Sequence, residues 1–463
     1  MISSEEKIMA LRQHLGEISL LTGNDIGERY SVDFTGENRQ TPLAVVRPKS
    51  TREVSLVLKT CSALAQRVVV QGGLTGLAGG ATPKPNEVAI SLERLSGIEE
   101  VDVNSMTLTA MAGTPLQTAQ DAATSAGLLL PLDYGARGSC HIGGAIATNA
   151  GGNQVIRFGM TRNLVLGLEA VLADGTIISS MNKMLKNNSG YDLKHLFIGT
   201  EGTLGVVTRA VLRLFPPLPS KCTSLCAVET FSQSVALLRE AQTKLGASIS
   251  AYEVMWAPYF ERVVNHVDNL QSPFNKKFPM YVLIETEGSD EDSDTRRFED
   301  TLEFALNSNI IHDAAIAQSE KDRQDFWDIR DGVGEITKAL MPYASLDVSM
   351  DIANMPKFLE EFDSKLNQAF PNAMNLVFGH LGDNNLHLFV TTQCQVDIDA
   401  IYDLGYDLTG KYAGAISAEH GVGSLKRKYL HHSRTQEEID LMRRLKKTLD
   451  PKEILNIGRV IPD

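Results

Sequence analysis

Gln71-Gly72-Gly73-Leu74-Thr75-Gly76-Leu77-Ala78-Gly79-Gly80 is the stretch that decides how the first half of this chain folds. The valine run before it predicts a strand over residues 67–71 that runs straight into the glycines. With no Cβ atoms in the way, successive backbone N–H groups can converge on an anion, and a flat ligand can lie against the main chain. Two further segments repeat the pattern. One is Gly135-Ala136-Arg137-Gly138-Ser139-Cys140-His141-Ile142-Gly143-Gly144, followed by Thr148-Asn149-Ala150-Gly151-Gly152; the other is Gly199-Thr200-Glu201-Gly202-Thr203-Leu204-Gly205-Val206-Val207. None is a Rossmann fingerprint in a strand-helix-strand unit, and none carries the Gly-Lys-Ser/Thr of a P-loop. Three such segments with Ser, Thr and Asn interleaved exceed what turns require. A dinucleotide lying extended through the domain would use them all.

Around these loops, short strands are expected at 45–46, 88–92, 108–112, 167–172 and 206–214. Apolar spacing predicts a helix over residues 5–21, and Ser50-Thr51-Arg52-Glu53 places a capping-box pattern before a second helix ending near Leu64. Phe215-Pro216-Pro217-Leu218-Pro219-Ser220 stops helix and sheet alike and is read as a domain boundary. Beyond it, helices are expected at 233–244, 292–306 and 435–449, with a strand at 279–285 and a short last helix opening at Asp450-Pro451. The whole reads as α+β, without the regular alternation of a doubly wound sheet. Residues 1–217, with a core of about 42–217 behind an N-terminal helix, form the first domain; residues 218–463, including the C-terminal helices, form the second.

The second half carries its own chemistry. Phe378-Gly379-His380-Leu381-Gly382-Asp383-Asn384-Asn385-Leu386-His387 and Ala418-Glu419-His420-Gly421-Val422-Gly423 supply three imidazoles and a carboxylate. Gly382-Asp383-Asn384-Asn385 forbids a helix and reads as a turn, so a hairpin of strands 376–378 and 386–390 brings His380 and His387 together. Two strand histidines in isolation are more often hydrogen-bonded core residues. The flanking glycines and Glu419 favour instead a His₂Glu metal site with open positions, leaving His420 for proton chemistry. Borderline N/O ligation suits zinc best, with manganese as the alternative.

Bulk properties narrow the partners. With 44 basic against 57 acidic residues the net charge is -13, which argues against nucleic acid or an anionic membrane. Five scattered cysteines form no disulfide pattern, and Met1-Ile2-Ser3-Ser4-Glu5-Glu6-Lys7 lacks the apolar run of a signal peptide. A cytoplasmic protein without a transmembrane segment is the expectation, with a homodimer left open.

The ordered motifs resemble a known family. Val46-Arg47-Pro48 with the 72–80 glycines, Gly138 to Gly144 with Asn149-Ala150-Gly151-Gly152, Gly190-Tyr191-Asp192-Leu193, and Glu201-Gly202-Thr203-Leu204-Gly205 look like the FAD domain of the vanillyl-alcohol-oxidase-type flavoproteins. The C-terminal His and Glu motifs are similar to its FAD-dependent D-2-hydroxy acid dehydrogenases, which act on D-lactate, D-2-hydroxyglutarate or glycolate. The match runs from about Pro42 to Pro462. It implies a two-part FAD-binding domain of small mixed sheets and helices, then a substrate domain with an antiparallel sheet covered by helices.

By this resemblance, the backbone of Gly72, Gly73, Leu74, Thr75 and Gly76 cradles the FAD pyrophosphate. Gly138, Ser139, His141, Gly143, Gly144, Asn149 and Gly152 line the flavin, and Glu201, Gly205 and Val206 hold the adenosine side. Leu74 and Ala145 stand where the family often has Asn. The first glycine loop has no His, so non-covalent FAD is expected. His380, His387 and Glu419 are implied as metal ligands and His420 as the base. Arg330, after Phe326-Trp327-Asp328-Ile329, resembles the family's Trp-x-x-Arg segment and would grip the substrate carboxylate. Lys426 is a weaker candidate of the same kind.

The implied reaction oxidises a 2-hydroxy acid: the metal polarises the 2-hydroxyl, His420 takes its proton, and C2 passes hydride to flavin N5. An electron-transfer flavoprotein, quinone or cytochrome would then accept the electrons. Members preferring 2-hydroxyglutarate have Thr, Lys and Asn where this chain has Gly334, Ser345 and Phe389. That loss of polar groups points to D-lactate or a more hydrophobic D-2-hydroxy acid. The alternatives are D-2-hydroxyglutarate itself, or an oxygen-using oxidase of the same fold. Ether-lipid alkyl synthases share the His-rich loop but have His in place of Glu419.

Overall fold

Val68–Gln71 is the strand that the valine run predicts. It lies in a computed structural model that describes residues 3–16 and 18–462. Glu17, inside the expected first helix, and Met1, Ile2 and Asp463, at the ends of the expected domains, lie outside the described residues. The chain divides into two units. The first comprises Met1–Gly152, Gly159–Pro216 and Glu419–Asp463; the second comprises Asn153–Phe158 and Pro217–Ala418.

Unit 1 contains a four-stranded sheet in the order Ser19–Leu21, Ala44–Arg47, Val88–Ser91, Val68–Gln71. Its last three strands pair in parallel. Parallel strands are covered on both faces, and Val45, Val46, Ala89, Ile90 and Val69 are all fully buried. Helix Thr51–Ala63 follows the second strand; Ser50 accepts from the Glu53 amide, while the Glu53 side chain turns to the amide of Lys49. A second, antiparallel sheet runs Ile98–Asp102, Thr107–Met111, Val206–Arg213, Val165–Val171, Ile177–Ser180.

Two expected helices change. The first stops at Leu15, because Gly16 takes a left-handed turn (φ 58) and Ser19–Leu21 joins the sheet instead. No helix opens at Asp450-Pro451: the Asp450 carboxylate accepts the amides of Ile454 (3.1 Å) and Leu455 (2.8 Å) and curls the chain into a turn. That turn delivers Leu455 alongside Val68, with Val68 N donating to Ile454 O at 2.7 Å and Asn456 N to Val68 O at 3.0 Å. Arg459 then pairs with buried Glu87. Residues 419–463 therefore pack as part of unit 1, not with 218–418, because the open edge of Val68–Gln71 takes its partner from the C-terminal tail.

Unit 2 is built on a seven-stranded antiparallel sheet in the order Asp313–Ile316, Ser220–Val228, Met280–Gly288, Ile249–Trp256, Met374–His380, Asn385–Thr391, Ala344–Ser349. Helices including Phe231–Leu245, Ala257–His266 and Glu291–Asn307 pack on it, and Tyr259, Phe260, Tyr281, Trp327 and Phe378 build an aromatic-rich core. The expected hairpin is present: Met374–His380 turns through Leu381–Asp383 and a left-handed Asn384 (φ 71) into Asn385–Thr391. A Cβ on Gly379 would stand 2.3 Å from the Asn385 carbonyl, so the hairpin closes only with glycine there. Among the described residues, no helix is long and apolar enough to cross a membrane.

Candidate active site

In unit 2, four neighbouring strands set four polar residues into a row. Glu253 lies directly across from His380, Phe378 across from His387, and His387 across from Asp347. The row is deeply buried: Glu253 is 1% exposed, His380 4%, His387 6% and Asp347 0%. Polar groups so placed must satisfy one another or a ligand. The rings of His380 and His387 lie 5.4 Å apart between centroids, inclined at 78°. His380 Nδ1 meets Glu253 Oε1 at 2.9 Å, and His387 Nδ1 stands 3.8 Å from Asp347 Oδ1.

Arg330 comes into this row from helix Glu320–Asp331, which Ser319 caps by accepting the Asp322 amide. It is itself buried, and Tyr259 donates to its carbonyl at 2.6 Å. Its Nε donates to Glu253 Oε2 and its Nη1 to Asp331 Oδ1, both at 2.9 Å, while Nη2 lies 2.8 Å from His380 Nε2. A guanidinium has five N–H donors, so these bonds fix the fork and leave the others for a ligand. Burial pushes the Glu253 carboxyl up, but the charges of Arg330 and His380 outweigh that, and it titrates below the usual glutamate range. Glu253 and Asp347 were not among the residues picked out from sequence. The available signal was a lone acid inside an apolar strand, in Tyr252-Glu253-Val254 and Leu346-Asp347-Val348.

Phe389 is half-buried, on the same strand face as His387, stacked on Phe378 at 5.8 Å and tilted against Tyr343 at 5.4 Å. Ala418 ends unit 2 with its amide on the Asp347 carbonyl at 3.3 Å. Glu419 and His420 follow it directly along the chain.

In unit 1 the three glycine segments meet. A Cβ on Gly73 would stand 2.0 Å from the Ser139 carbonyl, and one on Gly72 would stand 3.7 Å from His141 Cβ and 3.8 Å from Gly144 Cα. The third segment joins through Gly199 N to Ile146 O (3.1 Å) and Glu201 N to Ala147 O (2.8 Å). Leu74 sits at φ 61, a conformation Asn adopts more readily than Leu. Gly143, Gly152 and Gly205 are packing glycines: a Cβ would meet Ala112, Asp133 and Phe197 respectively at under 3 Å. Asn149 caps helix Ile142–Thr148 at φ 52 and its Oδ1 accepts the Arg162 amide. Thr75 and Gly76 are half-buried in the first loop, Ser139 is exposed, and Val206 opens a buried strand.

This region fits a flat dinucleotide. A Cβ on Gly138 or Gly144 would meet no protein atom within 4 Å, so backbone there borders open space. Beside it the buried His141 Nδ1 has no hydrogen-bond partner. Burial, with Arg29 adding to it, pushes the His141 imidazole below its ordinary value, leaving a neutral ring able to donate or accept.

Glu201, expected on the adenosine side, also makes contacts within the protein. Its carboxylate accepts the amides of Val422 (2.7 Å) and Gly423 (2.9 and 3.2 Å), and so holds the chain just after His420. Burial raises its carboxyl above the usual value even against those two amides. Lys426, expected as a weak candidate at the surface, is 5% exposed and lies close enough for its charge to act on Glu201. Glu201→Ala would leave two amides unpaired, at about 1–3 kcal/mol. The denaturation midpoint of the FAD-loaded variant should fall accordingly; an unchanged midpoint would mean the amides find other acceptors.

Known proteins share both domains. Residues 42–180 match the family model described as an FAD binding domain, and residues 218–460 match that of FAD linked oxidases, C-terminal domain. The chain belongs to this family: it is an FAD-dependent oxidoreductase of the D-2-hydroxy acid dehydrogenase group, acting on a CH–OH substrate. It is 38% identical to D-2-hydroxyglutarate dehydrogenase of Xanthomonas citri pv. viticola, over 99% of this chain and 97% of that protein. It is 36% identical to the probable mitochondrial D-2-hydroxyglutarate dehydrogenase of Oryza sativa subsp. japonica, over 100% of this chain and 82% of that protein. Its fold is similar to p-cresol methylhydroxylase, with a TM-score of 0.77, 14% identity, and 99% and 97% of the two chains covered. The expectation of a cytoplasmic protein is corrected by the rice relative, a mitochondrial protein by name. Scattered cysteines and an acidic N-terminus do not distinguish a cytoplasm from a mitochondrial matrix, since both keep thiols reduced.

Proposed function

We propose that this protein oxidises D-2-hydroxyglutarate to its 2-keto acid, with a divalent metal held by His380, His387 and Glu419. The observation that carries the substrate is whole-length identity with proteins named for it, on a chain that also carries the buried His380–Glu253–Arg330 constellation. FAD supplies the hydride acceptor and the metal, zinc or manganese, supplies Lewis acidity. Arg330, fixed by Glu253 and Asp331, grips the 2-carboxylate and turns one C2–H toward the flavin. His420 takes the hydroxyl proton. The buried row around the two histidines keeps water from competing for these groups.

A second reading keeps the same chemistry and changes the acid. Ser345 and Phe389 are direct cross-strand partners, two residues from Asp347 and His387 respectively. The change from Lys and Asn to Ser and Phe is thus a paired change beside the histidines, and it favours D-lactate or a more apolar side chain. Purified protein assayed with D-2-hydroxyglutarate, D-lactate, longer D-2-hydroxy acids and their L enantiomers, using an artificial dye beside a peroxide assay, separates the readings. D-2-hydroxyglutarate should give the highest kcat/KM and no peroxide, with electrons passing to an electron-transfer flavoprotein, quinone or cytochrome. A higher kcat/KM for D-lactate would establish the second reading instead, and stoichiometric peroxide would establish an oxidase.

A further inference from the structure

Each of the two hairpin histidines faces a buried carboxylate on the strand next to it. Glu253 is across from His380 on one side of the hairpin, and Asp347 is across from His387 on the other. The sheet order Ile249–Trp256, Met374–His380, Asn385–Thr391, Ala344–Ser349 makes this arrangement symmetrical, acid-His-His-acid, over four consecutive strands. Both carboxylates approach the same ring atom, Nδ1, at 2.9 Å in one pair and 3.8 Å in the other.

An imidazole that donates from Nδ1 to a carboxylate has its lone pair on Nε2 and its ring plane fixed. We infer that Glu253 is a positioning residue that sets the Nδ1–H tautomer of His380 and so aims its Nε2 lone pair at the cation; Asp347 Oδ1, 3.8 Å from His387 Nδ1, stands beyond hydrogen-bond reach of that atom. The inference rests on the metal reading above and adds to it one residue outside the ligand set. Of the contacts of His380, Nδ1 lies 2.9 Å from the acceptor Glu253, and the donor Nη2 of Arg330 is nearer to Nε2, at 2.8 Å, than to Nδ1, at 3.2 Å. A metal takes that same lone pair, and Arg330 keeps Glu253 and Asp331 as partners when it yields. Glu253 therefore serves the ligand and the substrate-binding arginine at once, through its two oxygens. Asp347 is held on its other oxygen by Ser417, whose hydroxyl stands 3.2 Å from Oδ2.

The test is a zinc titration of the FAD-loaded wild type and Glu253→Gln, with flavin absorbance and thermal midpoint recorded on each. Wild type should take one zinc, and the variant should bind it about 10–100-fold more weakly with flavin retained. Equal affinities would overturn the inference and leave the metal site standing. A wild type that takes no zinc would remove the metal reading and this inference with it. Nitrogen-15 spectra of the wild-type imidazoles give a second measurement that needs no variant: His380 should carry the proton on Nδ1, and a proton on Nε2 would overturn the assignment.

Discussion

Flavin reduction by the hydroxy acid is expected to slow by about 10²–10⁴-fold in His420→Ala, with FAD still bound. The 2-hydroxyl of such an acid is a very weak acid, so its proton cannot leave at neutral pH without an acceptor in place. His420 is the imidazole left over once His380 and His387 are assigned to the cation. Within unit 1, Val422, two residues after it, donates its amide to Glu201. Removing the ring leaves the three glycine segments untouched, so the flavin spectrum should not change. Single-turnover reduction separates the step from later ones, and it should be fast in wild type and slow in the variant. A variant that reduces its flavin at near wild-type rate would sink the assignment of His420.

Much of this site was legible in the sequence because its key signals are local. The hairpin follows from apolar alternation on both sides of Gly382-Asp383-Asn384-Asn385, and the structure adds only that Gly379 must lack a side chain for the strands to close. The glycine segments speak for approach of a ligand to the main chain; the structure adds a close approach of backbone to backbone, Gly73 against Ser139. What was not legible depends on register between distant strands. Glu253 meets His380 across 127 residues of chain, and no spacing rule connects them. The same holds for Leu455, which pairs with Val68 and brings the C-terminal tail into unit 1. The contacts of Glu201 were equally out of reach: its carboxylate accepts amides more than two hundred residues away. In each case the burial of a charge or an open strand edge demanded a partner, and only the fold could name it.

Arg330→Met is expected to damage both substrate binding and stability, and the pH dependence of the damage identifies its cause. On the proposed role of Arg330 the variant lacks the charge-assisted grip on a substrate carboxylate, so KM should rise steeply, with kcat falling as orientation is lost. It also leaves Glu253 buried without its main counter-charge, a change that costs about 3–5 kcal/mol when one partner of a buried pair is removed. In wild type the Glu253 carboxyl titrates below its ordinary value of 4.5, so its contribution is present above that pH and lost as pH falls through the folded value. Without Arg330 the desolvation that already pushes this group upward is no longer outweighed by it. Its folded value then moves up, and the variant should lose stability as pH rises through that value, in the reverse sense to wild type. Thermal midpoints of both proteins across the mildly acid range read this directly. Arg330→Lys, which keeps the charge without the fork, should restore most of the stability and less of the substrate affinity. Parallel pH curves for wild type and Arg330→Met would show that the guanidinium does not hold Glu253 ionised, and would remove the basis for treating the pair as one unit.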